Sequence, residues 1–155
     1  MIYKSKNLFY HGIMFHHFHD KKKHKAVQGS ISSYDLYKIV GFIGRKNILD
    51  ADEFVKRYKE KKLGKSQTCF TFDDGLKCQI DIALPVLADL NIKSFFFIPT
   101  SNYENDPNYL EVYRYFRTTY YENINLFYEE FYKILDIDLQ NFFKKKEKKI
   151  NLIKK

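Results

Sequence analysis

The sequence is poor in the residues from which most ligand-binding signatures are built. It holds two cysteines, six glycines and three prolines in 155 residues, and all five histidines precede Lys25. Cys69 and Cys78 are too few for a disulfide framework and suit a chain kept in a reducing compartment. With glycine this sparse, no nucleotide-binding glycine loop and no serine-hydrolase elbow is visible, and no internal repeat recurs. Long apolar runs are missing too. A membrane span needs about 20 apolar residues, and the first apolar stretch is broken by His11, His16 and His17, too early for a secretory signal. The expectation is a soluble, cytoplasmic chain.

What the sequence does have is aromatic bulk and positive charge. Hydrophobic residues make up 45%, with 15 Phe and 13 Tyr, enough for a sizeable core and out of keeping with general disorder. The length suits one compact domain. The net charge of +8 first suggests nucleic acid or an anionic surface. The lysines, however, fall into runs at Lys21 to Lys25, at Lys59 to Lys65, and from Lys144 to the end. Such runs are usually solvated faces. No zinc-finger or RNA-binding signature accompanies them, so nucleic-acid binding is a minor alternative.

The order of elements is readable from periodicity. Gly12 to Phe18 is short and apolar and predicts a buried strand. Ser32 with Asp35 resembles a capping box, followed by Leu36, Ile39, Val40 and Ile43 at helical spacing, with Gly44 as the stop. A second helix is expected from Asp50, capped by that residue while Glu53 reaches back. Phe54 and Tyr58 would lie on its inner face, and Gly64 would end it. Gln67 to Phe72 predicts a strand. Ile80, Ala83, Leu84, Leu87 and Ala88 predict a helix, in which Pro85 marks either a kink or the first turn of a shorter helix. Ser94 to Ile98, apolar on both faces, predicts a strand inside a parallel sheet. Beyond the turn at Asp106-Pro107-Asn108, the aromatics from Phe127 to Phe143 predict a long amphipathic helix whose stripe packs as core.

Thr71-Phe72-Asp73-Asp74-Gly75 is the sharpest feature, because it stands where a predicted strand ends. Sites in α/β proteins form at the carboxyl ends of parallel strands. Adjacent carboxylates leaving a strand are expected to point in different directions, so that one can hold a metal while the other takes a proton from metal-bound water. Gly75 lets the backbone turn without a Cβ clash. Taken alone, Asp-Asp-Gly is more often a plain acidic turn.

Its surroundings carry a more specific resemblance. Cys69 to Gly75, then Ile82-Ala83-Leu84-Pro85-Val86-Leu87, then Ile92 to Phe97, resemble the first motif of the polysaccharide (NodB-type) deacetylase family. Ile13-Met14-Phe15-His16 is similar to the strand that opens many members. The resemblance spans roughly residues 12 to 100. It implies a distorted (β/α) barrel and hydrolysis of the non-peptide C–N amide bond of an N-acylated sugar. Asp73 would then be the general base and Asp74 a ligand of a divalent metal, zinc in the first place. Such a metal lowers the pKa of bound water to about 7.

The family completes its metal site with a downstream His-Ser/Thr-x-x-His motif, which this sequence lacks, as it lacks recognisable later motifs for an acid histidine and a supporting arginine. Three explanations compete: a truncated or split product complemented by a second chain, a remnant turned protein-interaction module, or replacement ligands among the N-terminal histidines. The first is the expectation. His16 and His17 are the candidate replacement ligands. On a strand His17 and His19 would share a face, but Lys21 to Lys23 beside them would repel a cation. Cys78, at an expected helix start, reads as a packing residue. The fold expected is therefore α/β, a partial (β/α) barrel of the NodB deacetylase type over residues 1–100, with a helical extension and basic tail over 101–155. As an isolated chain, weak or no activity is expected.

Overall fold

The computed structural model describes residues 11–104 and 106–135, and the chain divides into two compact units at the Thr100–Ser101 boundary. In the first unit three strands, β1 (Gly12–Phe15), β2 (Cys69–Phe72) and β3 (Phe95–Phe96), form a parallel sheet in the order β1-β2-β3. Between β1 and β2 run helices α1 (Ser33–Ile43) and α2 (Ala51–Lys59). Between β2 and β3 lie a π-helical turn (Gln79–Ala83) and α3 (Leu84–Asp89).

One face of the sheet makes the core. Phe15, Phe70 and Phe72 project from β1 and β2 onto it and are buried. Phe72 stacks on Phe96 with ring centroids 4.7 Å apart and on Phe15 at 5.3 Å. Leu36 and Val40 of α1, with Ile82, Ala83, Val86 and Leu87, belong to the same apolar cluster. Emptying one such site costs about 3–5 kcal/mol for Phe→Ala and 2–5 for Leu→Ala. The opposite face is different. Met14 is 58% exposed, so β1 is buried on one side only. β3, expected inside the sheet, forms an edge of it among the described residues, and Phe97 beyond it is 55% exposed.

Local signals explain the helices. The capping box of α1 is present, with Ser32 Oγ accepting from the Asp35 amide and the Asp35 carboxylate accepting from the Ser32 amide. Gly44 closes α1 at φ 82°, where a Cβ would be strained. Arg45 then ties the end of α3 to the next loop. Its guanidinium donates to the carbonyls of Leu90 (2.9 Å), Ile48 (2.7 Å) and Asn91 (2.5 Å). α2 departs from expectation. Asp50 precedes it, but makes no side-chain cap and instead accepts from the Lys93 amide at 3.1 Å. Glu53 pairs with Arg57 at 2.6 Å rather than reaching back. Tyr58 is exposed, and the helix ends at Lys59, with Lys61 rather than Gly64 taking a positive φ. Pro85 sits in the first turn of α3, where its missing amide costs little, and the wide turn before it takes up the change in winding.

The second unit contains α4 (Tyr109–Tyr120) and α5 (Ile124–Ile134). Asn108 caps α4 and Asn123 caps α5 through their side-chain oxygens. α5 is shorter than the long helix expected from Phe127 onward, and Phe142 and Phe143 lie outside the described residues. Neither helix buries a residue, so the described part of the aromatic stripe, Phe127 and Phe131, is not buried as core. Phe131, for example, is 41% exposed. No helix among the described residues is long and apolar enough to cross a membrane.

Candidate functional site

The parallel register decides which side chains emerge together. Phe15 pairs with Phe72, so His16 and Asp73 leave neighbouring strands at the same level. The Asp73 amide donates to the Phe15 carbonyl at 3.1 Å and the Phe97 amide to the Phe72 carbonyl at 2.8 Å. These bonds carry the ladder just past the ends of the strands. The chain then turns sharply, with Asp74 at φ 74° and Gly75 at φ 60°. Aspartate tolerates this left-handed region better than most side chains. At Gly75 a Cβ would lie 3.2 Å from Ile98 Cγ2, so glycine is favoured there by close approach as well as by φ.

The turn brings the two carboxylates together. Expected to diverge, they stand at the same imidazole: His16 Nε2 lies 3.9 Å from Asp73 Oδ2 and 3.8 Å from Asp74 Oδ2. The left-handed backbone at Asp74 breaks the alternation that an extended chain would have imposed. Both distances exceed hydrogen-bond length, and they become ion pairs when the imidazole is protonated. All three side chains are about a third exposed. Such pairs contribute about 0–1 kcal/mol to folding, so stability is a poor reason for the cluster.

Beside the carboxylates opens a cleft of about 430 Å³ lined by Asp73, Asp74, Phe96, Phe97, Ile98 and Pro99. Its floor is anionic and its wall, the chain leaving β3, is apolar. Behind the site lies a residue the sequence reading passed over. Gln79 is fully buried at the start of the π-helical turn, and its Nε2 donates to the carbonyls of His16 (2.9 Å) and Asp73 (2.5 Å). Its Oε1 is buried without a hydrogen-bond partner, which costs about 1–3 kcal/mol. The signal was available: Gln79 shares a helical stripe with the apolar Ile82, Ala83 and Val86, where a lone amide is out of place.

His17, His19 and His24 serve the loop after β1. The His17 carbonyl accepts from the Ile31 amide at 3.1 Å. His19 Nδ1 meets Ser30 Oγ at 2.9 Å. Since β1 ends at Phe15, His17 and His19 do not share a strand face. His24 Nε2 lies 2.9 Å from Asp81 Oδ2, and Lys77 bonds both Asp81 oxygens. The Lys77 ammonium, and then His24, hold the Asp81 carboxyl below its ordinary value. Asp20 Oδ1 accepts from the amides of Lys22, Lys23 and His24. These backbone bonds, that from His24 first, bring its carboxyl down to about 2. Cys69 and Cys78 are both buried and not joined in a disulfide, and the Cys78 Sγ accepts from the Phe18 amide at 3.4 Å.

No family model, curated protein or solved structure matches the chain. The site therefore has to be weighed on its own donors. His16, Asp73 and Asp74 offer imidazole nitrogen and carboxylate oxygen, which is suitable chemistry for zinc. Yet no group of three or more His, Cys, Asp or Glu among the described residues, with or without His17, is arranged to hold a metal ion. A catalytic zinc takes three protein ligands and an open position. The described residues do not meet that requirement.

Proposed function

We propose that the first unit carries the strand-end carboxylate pair of a carbohydrate N-deacetylase of the polysaccharide (NodB-type) deacetylase kind, within the opening segment of a (β/α) barrel. The observation that supports this reading is the placing of Asp73 and Asp74 just past the carboxyl end of β2, beside His16 and an open, apolar-walled cleft. The substrate proposed is an N-acylated sugar, whose ring has apolar faces for Phe97 and an amide for the carboxylates. The setting proposed is cytoplasmic, where Cys69 and Cys78 stay reduced.

In this reading Asp73 is the general base. It takes a proton from water as the water oxygen bonds to the acyl carbon. The C–N bond then breaks, the amine nitrogen receives that proton, and a carboxylic acid and a free amine leave. A partly exposed carboxylate can exchange protons with water without a special path. The divalent cation that goes with this activity, zinc first, needs donors beyond His16, Asp73 and Asp74, so no step is assigned to it. A complementing second chain is the proposed source of those donors, and the chain alone is expected to turn over weakly or not at all.

The test is NMR titration of the full chain with an N-acetylglucosamine oligomer, alongside an assay for released acetate. The expected result is movement of the amides of Asp73, Asp74 and Phe96 to Ile98, lost in Phe97→Ala, with acetate at background. An oligomer that leaves these amides unmoved at millimolar concentration rejects the reading. So does substantial zinc-dependent turnover by this chain that survives both Asp73→Asn and Asp74→Ala.

A second reading, a non-catalytic interaction module, is favoured by one observation: α4 and α5 bury none of their aromatic residues. A chain indifferent to sugar and cation that self-associates, and is dispersed by Phe131→Ser, supports it.

A further inference from the structure

We propose that Gln79 is a positioning residue whose amide sets the spacing between His16 and the Asp73–Asp74 pair; this rests on reading those three side chains as one site. Gln79 and Thr68 are the buried polar residues of the described core. Thr68 has an ordinary reason to be there, since its hydroxyl donates to the His11 carbonyl at 2.8 Å. The bonds of Gln79 are different in kind. One nitrogen serves two carbonyls, on His16 and on Asp73, which belong to the two chains leaving β1 and β2. An amide has two N–H groups, so each carbonyl receives one, and the nitrogen holds the two oxygens at a set separation.

The place of this bridge matters. Where β1 and β2 end, the Asp73 amide donates to the Phe15 carbonyl. Just beyond it come the side chains of the site. Gln79 supplies a side-chain cross-tie one step on, between the His16 and Asp73 carbonyls. Its own placing comes from the π-helical turn Gln79–Ala83, a winding that recurs near functional sites. Packing alone does not account for an amide here, because Oε1 stays without a partner, and Met or Leu would fill the same space at no such cost. What the amide adds is a fixed distance between His16 and the carboxylates, now 3.8–3.9 Å.

The experiment reads that distance without any ligand. Ring resonances of His16 are followed by NMR at one fixed pH in the full chain, with and without Asp74→Asn, in the wild-type and Gln79→Met backgrounds. A charge 3.8 Å away makes the ring respond to Asp74→Asn in the wild type. The expected result is a response at least ~2-fold smaller in Gln79→Met, as a coupling between the two positions, while the circular dichroism of α1 to α3 is kept. An undiminished response in a folded Gln79→Met chain overturns the proposal, since Gln79 then only packs. A wild-type ring that ignores Asp74→Asn also overturns it. If Gln79→Met does not fold, Gln79→Asn keeps an amide too short to reach both carbonyls, and the same two results decide. Failure to bind N-acetylated sugar bears on the deacetylase reading alone and leaves this coupling to stand or fall by itself.

Discussion

His16 Nε2 and Asp74 Oδ2 face each other across 3.8 Å, the imidazole delivered by the residue after β1 and the carboxylate by a left-handed turn after β2. That turn holds a non-glycine residue at φ 74°. A structure that carries such a conformation for a partly buried carboxylate gives up stability that a glycine would recover.

Asp74→Gly is therefore expected to stabilise the first unit by about 0.5–1 kcal/mol, because it removes a left-handed side chain. It would at the same time remove the carboxylate that stands 3.8 Å from the His16 ring. Urea denaturation of the two proteins checks the sign. A destabilised Asp74→Gly chain would mean that the carboxylate earns its place through folding instead.

Gly75→Ala is expected to act in the opposite direction, losing about 1–2 kcal/mol through its φ of 60° and the conformational penalty of a Cβ there. The new methyl would also press on Ile98, but Ile98 is exposed and can move. Adding Ile98→Ala should recover no more than a few tenths of a kcal/mol, measured as the change in urea midpoint. Full recovery would assign the cost to crowding.

Arg45 offers a test of the scaffold behind the site. Its guanidinium serves three carbonyls on two sides of the α3 terminus. Arg45→Met keeps most of the apolar stem and removes the donors, with an expected loss of about 2–3 kcal/mol. Thermal denaturation reads it, and hydrogen exchange at Leu90 to Ile92 should rise before that of β2.

The acid limb of stability should show Asp20. Three backbone amides hold its carboxyl near about 2, below the unfolded value near ~4. A carboxyl whose folded pKa is depressed stabilises the fold above the unfolded value, and that contribution fades as pH falls through the folded one. Asp20→Asn is expected to be less stable than wild type at neutral pH, with the gap closing between about pH 4 and pH 2. Tyrosine fluorescence in an acid titration measures this. A gap that stays constant would mean that the amide bonds, not the charge, are what count.

Much of the first unit was legible because its signals are local. The capping box at Ser32 and Asp35, the glycine stop at Gly44 and the sharp Asp73-Asp74-Gly75 turn each depend on a few adjacent residues. Some of the failures came from contacts distant in sequence. Asp50 gives its oxygen to the Lys93 amide instead of to its own helix. Met14 is exposed because β1 covers only one face. The meeting of Asp73 and Asp74 at His16 required a backbone angle that residue type permits without dictating. α4 went unread because Tyr, Val and Thr, which fill it, are weak helix formers, and its caps are a single asparagine. Gln79 was hidden by the apolar stripe around it.

The register of β1 against β2, Gly12 with Cys69 through Phe15 with Phe72, also bears on the order of assembly. β2, α3 and β3 are close in sequence and can associate at small entropic cost. β1 must close a far longer loop, holding two helices, before its first rung forms. Of these three strands, the one synthesised before the other two is thus expected to dock last. His16 would arrive with it, so a chain lacking β1 would hold the Asp73–Asp74 turn without its imidazole.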